Sequence, residues 1–152
     1  MPFPNLFDAS GLAETKERIL KLKPEQAPQW GKMNVAQMLA HCNVAYEMVY
    51  TDKHPRPKAF EKFMIKLFAK KAVTGPKPYK KNGRTAPVFI IADQRNFEAE
   101  KERLLSFLDK THVLGADHFH GRESHAFGHL TAGEWNTLFS KHLDHHLKQF
   151  GV

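Results

Sequence analysis

Apolar residues recur at spacings of three and four through most of the chain, the period of helices that bury one face. Leu12, Ile19 and Leu20 follow Asp8 and Ser10, two N-cap candidates, and Pro24 lies beyond them, so the pattern predicts a helix over about 9–22. The linker PEQAPQWGKM ends at Asn34, and Gln37 three residues later completes a capping-box pattern. A second helix is expected from there over about 34–50, with Met38, Cys42, Ala45 and Val49 as its buried stripe and His41 at the stripe's edge. After HPRP, Phe60, Phe63, Met64, Leu67 and Phe68 form another stripe with Lys62, Lys66 and Lys70 beside it, predicting a basic amphipathic helix over about 58–73. Its apolar side is expected to pack internally, although a membrane-surface helix carries the same signature.

The segment TGPKPYKKNGRTAP reads as loop, and VFII after it as an extended connector too short to establish a sheet. Phe97, Leu104, Leu105 and Leu108 then return to helical spacing behind Asp93 and Asn96, predicting a helix over about 95–110. A His- and Gly-rich loop separates it from Thr131 and Glu134, the clearest capping box in the chain, which opens a helix over about 131–149. No repeat at solenoid periods is visible. The expected fold is therefore all-α, a four-helix bundle of the segments 9–22, 34–50, 95–110 and 131–149, with the basic helix on a long crossover between the second and third of these. With 152 residues, 41% of them hydrophobic and 12 of them Phe, one domain over 1–152 has enough apolar material for one core.

Charge narrows the picture less. The chain carries 23 Lys and Arg against 16 Asp and Glu, and much of the excess lies in Lys62/Lys66/Lys70/Lys71 and Lys77/Lys80/Lys81/Arg84. A balance of +7 favours acidic small molecules or polyanions by long-range attraction. A solvated helix face and a mobile loop account for both clusters more simply than a nucleic-acid surface. The sequence has no glycine-rich phosphate loop, nucleophile elbow or zinc-ribbon spacing, which argues against nucleotide hydrolysis, serine-hydrolase chemistry and finger-type DNA binding. No apolar run reaches membrane-spanning length and the first residues do not read as an export signal, so no membrane partner is expected. The single cysteine, Cys42, suits a reducing cytoplasm and reads as a small buried hydrophobe.

The candidate chemistry lies in histidines. At about 100° per residue, His142 continues the stripe of Trp135 and His146 that of Phe139, so both point into the bundle. Asp144 then faces away, and His145 falls on the flank at the edge of any site. Two imidazoles one helical turn apart can reach one ion, and buried unpaired they would each cost about 1–3 kcal/mol. His41 is the third inward-facing imidazole, and three His with an open position is the pattern of a catalytic zinc site. A core histidine bonded to a carbonyl is the plainer alternative for His41. His118, His120, His125 and His129, with Asp117 and Glu123, fall in the loop region and are expected on a mobile loop. Such a loop could line the open side of the site, through His125 and Glu123 in particular, or hold a second metal. Glu123 and Glu134 are the nearby carboxylates for general-base work, Glu134 being more simply the capping residue. No catalytic residue is assigned.

Two longer motifs carry a resemblance. WGKMNVAQMLAHCN at 30–43 and FGHLTAGEWNTLFSKHLDHHLKQFG at 127–151 resemble the second-helix segment and the carboxyl-terminal helix of the DinB-like superfamily of metal-binding four-helix bundles, in a bacterial branch of unknown function. The resemblance spans nearly the whole chain and implies metal ligands at His41, His142 and His146. It implies a divalent transition metal, Zn or Ni, and an enzyme class that includes bacillithiol S-transferases and mycothiol-dependent maleylpyruvate isomerase. A low-molecular-weight thiol and a small, anionic or thiol-containing substrate are the expected companions, in an S-transferase, isomerase or hydrolase reaction. Many relatives have Arg-Gly-Gln after the last ligand; this chain has Leu147, Lys148 and Gln149, so a substrate contact by that Arg does not carry over. The alternative is a noncatalytic, metal-stabilised binding or stress-response module for an acidic partner or nucleic acid. The Phe-rich helix also suggests a homodimer.

Overall fold

A computed structural model describes residues 2–152. Five α-helices account for most of them: α1 (Ala9–Leu20), α2 (Val35–Tyr50), α3 (Ala59–Thr74), α4 (Phe97–Phe119) and α5 (Ala132–Gln149). Among the described residues there is no β-strand, only an isolated bridge between Glu123 and His129.

Both predicted capping boxes form. Asn34 Oδ1 accepts from Gln37 N at 2.8 Å while Asn34 N donates to Gln37 Oε1 at 3.1 Å, and Thr131 and Glu134 make the same reciprocal pair at the start of α5. Each box satisfies two amide donors that a helix start leaves without partners. α2 is buried on nearly every side, from Val35 to Glu47, and packs most extensively on α4. One core cluster draws on α1, α2, α4, α5 and the segments beside them, with Tyr46 stacked on Phe139 at 4.7 Å and Trp135 on Phe139 at 5.5 Å between ring centroids. Cys42 is buried here, and burial pushes its thiol pKa up, as befits a small hydrophobe.

Four expectations need correction. α4 runs past Lys110 to Phe119, because Thr111 is buried and hydrogen-bonds Tyr50 and Phe107, which holds the extra turns against α2; only Gly115, at φ 75°, breaks the helical path. His118 and Asp117 consequently stand on a helix rather than on a loop. The VFII segment contains a 3₁₀ turn at Pro87–Phe89, with Pro at its start and Phe89 against α2. Asp144 does not face away: it is buried and pairs with Arg18 at 2.9 Å and Lys148 at 2.8 Å, since α1 and the C-terminal residues close over that flank of α5.

The fourth correction concerns α3, which buries none of its residues. Two of its lysines turn inward. Lys62 pairs with Glu123 and Lys70 with Glu134, while Phe60, Phe63, Leu67 and Phe68 remain 60–76% exposed. The physical reason is that the other helices already fill the core, whereas the surface α3 lies on offers carboxylates. Its C-terminal end is tied down by Lys141, which donates to the carbonyls of Ala72, Gly75 and Lys77 at 2.6, 2.7 and 3.2 Å.

Candidate metal centre

α2 supplies His41 and α5 supplies His142 and His146, one turn apart. The three ring centroids form a near-equilateral triangle, at 4.8 Å for His41–His142, 4.5 Å for His41–His146 and 4.9 Å for His142–His146. His41 and His146 are buried and His142 is half-buried, and one nitrogen from each ring lies within 4.8 Å of the others. Among the described residues this is the one group of three or more metal-ligating side chains whose donor atoms converge in this way. The four histidines of the 117–129 region form no second cluster.

Hydrogen bonding fixes which nitrogen of two rings faces inward. His41 Nδ1 donates to the Phe89 carbonyl at 2.8 Å, leaving its Nε2 as an acceptor. His146 Nδ1 donates to Gln149 Oε1 at 2.8 Å, and Gln149 Nε2 in turn donates to the Trp30 carbonyl at 2.7 Å. His41 Nε2 and His142 Nε2 are 2.9 Å apart. Two nitrogens bound to one tetrahedral ion sit about 3.3 Å apart at metal–nitrogen distances of about 2.0–2.1 Å, so this pair is already near that spacing. The donor set therefore fits a divalent transition ion.

Electrostatics agree with that fit. Burial lowers the pKa of His41, takes that of His142 well below the usual imidazole value with His41 and His146 adding to the effect, and brings His146 to about 3. All three are neutral at pH 7, the form that ligates a metal.

The family described as protein of unknown function (DUF1569) matches residues 6–151. The chain belongs to it. No curated protein and no solved structure matches the sequence. For this DUF1569 member the geometry thus stands on its own residues.

A cleft of about 560 Å³ opens beside His146, with His145, Gln149, Trp30 and the segment 82–91 among its other walls. His145 lies in the cleft wall, 5.0 Å from the His146 ring and 5.7 Å from that of Trp30. Phe89, also in the cleft wall, packs against the other two rings, 5.4 Å from His41 and 5.6 Å from His142. Glu123 and His125 do not line this cleft. Glu123 is exposed and paired with Lys62, and His125 Nε2 donates to the Pro55 carbonyl at 3.2 Å. The loop that carries them is closed on itself, with Ser124 N and Leu130 N donating across it to the carbonyls of Gly128 and Arg122, and it meets α3 through the Lys62–Glu123 pair and Lys66 beside Gly128. Glu134 serves its helix cap and Lys70.

Sequence reasoning missed Gln149, Trp30 and Phe89. Gln149 had a readable signal, lying one turn beyond His146 on the same face. Trp30 and Phe89 act through backbone carbonyls delivered by loops, and no side-chain pattern marks those.

Proposed function

We propose that His41, His142 and His146 hold one divalent transition metal, Zn²⁺ or Ni²⁺, and that the protein is an enzyme acting on a small molecule in the adjoining cleft. The observation that carries this reading is the convergence of three neutral imidazoles, one of which, His146, lies in the wall of an open cleft. A bound ion would supply Lewis acidity, attracting a thiolate or polarising water. The chain's own residues do the rest. Phe89 and Gln149 orient two of the ligands, Phe89 excludes water from one side, and Trp30, Ile90 and Ile91 offer apolar walls. No Asp or Glu lines the cleft, and Lys32 does; Lys81 lies 4.4 Å from the ring centroid of Trp30, one of the cleft's walls. Those charges favour an anionic or thiolate-bearing substrate.

The resemblance to DinB-like proteins supports a thiol-dependent S-transferase, isomerase or hydrolase within this reading. Metal analysis of protein purified without a His tag tests it. About one equivalent of metal per chain is expected after refeeding, and His142→Ala is expected to lose it while keeping a helical spectrum, because packing of the helices does not depend on the ion. Cobalt-substituted protein is expected to change its visible spectrum when a small thiol is added. Substoichiometric metal after refeeding would overturn the site, and a spectrum indifferent to thiol, azide and pH would overturn an open position.

A further inference from the structure

The outward face of α3 has no counterpart in the chain. Phe60, Phe63, Leu67 and Phe68 are 76, 60, 62 and 73% exposed and Met64 36%. A fully covered aromatic side chain buries about 150–250 Å², so these five offer roughly 500 Å² per copy. That lies within the range of the largest apolar patch on an ordinary monomer, a size that marks an interaction surface when it is contiguous along one helix.

We propose that this face pairs with the same face of a second copy, two α3 helices crossing antiparallel about a two-fold axis. Two patches of this size bury about 1,000 Å² before any rim is counted, the area at which specific association becomes expected. The charges on the face are self-complementary. Glu61 lies at its edge near the start of α3 and Lys71 within it near the end; both are exposed, and among the described residues neither has an ion-pair partner. They are separated by about 15 Å of helix, so antiparallel pairing brings each Glu61 opposite Lys71 of the second copy. A lipid surface fits less well. Helices that lie on membranes flank the apolar face with rows of free lysines; here Lys62 and Lys70 turn inward to Glu123 and Glu134, which leaves Lys66 and Lys71 without an ion-pair partner among the described residues, and Glu61 puts a negative charge on the rim.

Sedimentation equilibrium of the full chain across a wide concentration range tests this. A mass near twice 17.4 kDa is expected. Phe63→Glu and Phe68→Glu are each expected to raise the dissociation constant at least about tenfold with an unchanged helical spectrum, since neither side chain packs in the core. Glu61→Lys and Lys71→Glu should each weaken the dimer, and the chain carrying both should recover it. A monomer at every concentration, or a dimer that the Phe substitutions leave intact, would overturn the proposal; failure of the double exchange to recover would overturn the antiparallel arrangement. Monomer that cosediments with phosphatidylcholine–phosphatidylserine vesicles would assign the face to lipid instead.

Discussion

Gln149 shows how one side chain can tune the three-imidazole site without belonging to it. Its amide accepts from His146 Nδ1 and donates to the Trp30 carbonyl, tying the His146 ring to the linker before α2. Gly31 beside it has φ +82°, and a Cβ there would meet Gln149 Nε2 at 2.6 Å, so glycine is required both for the turn and for the amide's room. Gln149→Leu keeps the volume and removes both bonds. Metal affinity is expected to fall about 10–100-fold, as for other partners that orient ligating histidines, with the fold intact. A chelator-competition titration measures this, and an unchanged affinity would mean that packing alone orients His146.

At the scale of elements, α3 is attached through polar contacts, and Lys141 makes three of them. It is 1% exposed, burial draws its pKa down to about 8, and at neutral pH it is still an ammonium whose three donors meet three carbonyls. A cation at the end of a helix also opposes the partial negative charge of the last carbonyls. Lys141→Met would remove all three charge-assisted hydrogen bonds from the end of α3, a loss on the order of 1–3 kcal/mol in all, since water can reach the freed carbonyls of the exposed Ala72 and Lys77. A lower urea midpoint and faster amide exchange near Gly75–Lys77 are expected. Unchanged exchange there would show that water replaces the ammonium without loss.

Over the whole molecule, the buried histidines make the metal-free protein sensitive to mild acid. His41, His142 and His146 have folded pKa values below the ordinary 6.5, and His145 and His125 shift the same way. Below about pH 6.5 the unfolded chain therefore binds more protons than the folded one, and stability falls as pH falls, by at most about 1.4 kcal/mol per pH unit for each group. Above about pH 6.5 these groups are neutral in both states and their contribution is flat. Glu47, held below the usual carboxylate range by Arg103, His54 and Lys53 against the opposing effect of burial, adds its own loss only as pH falls below about 4.5. The urea midpoint of chelated protein is thus expected to drop between pH 7 and pH 5. A midpoint constant over that interval would contradict the neutral burial of the imidazoles.

The local grammar of the chain was legible in the sequence. Helix starts at Asn34 and Thr131 are written in side chains that bond within three residues, and the His142–His146 pair follows from helical period alone. Facing also selected His41, because a residue on a buried stripe has only one direction to point. What lies between elements was decided elsewhere. Periodicity gives the amphipathic character of α3 but not which side is covered, since a lysine face and a phenylalanine face differ only in what the rest of the molecule presents to them. Glu123, Glu134 and Lys141 decided that, from more than sixty residues away. The same holds for Asp144, taken inward by Arg18, and for the Phe89 and Trp30 carbonyls that steer the imidazoles. Such contacts join groups with no sequence signature of their own, so short-range bonding and helical period fixed the helix starts and the three histidines, while the tertiary structure alone determined their orienting partners and the exposed face of α3.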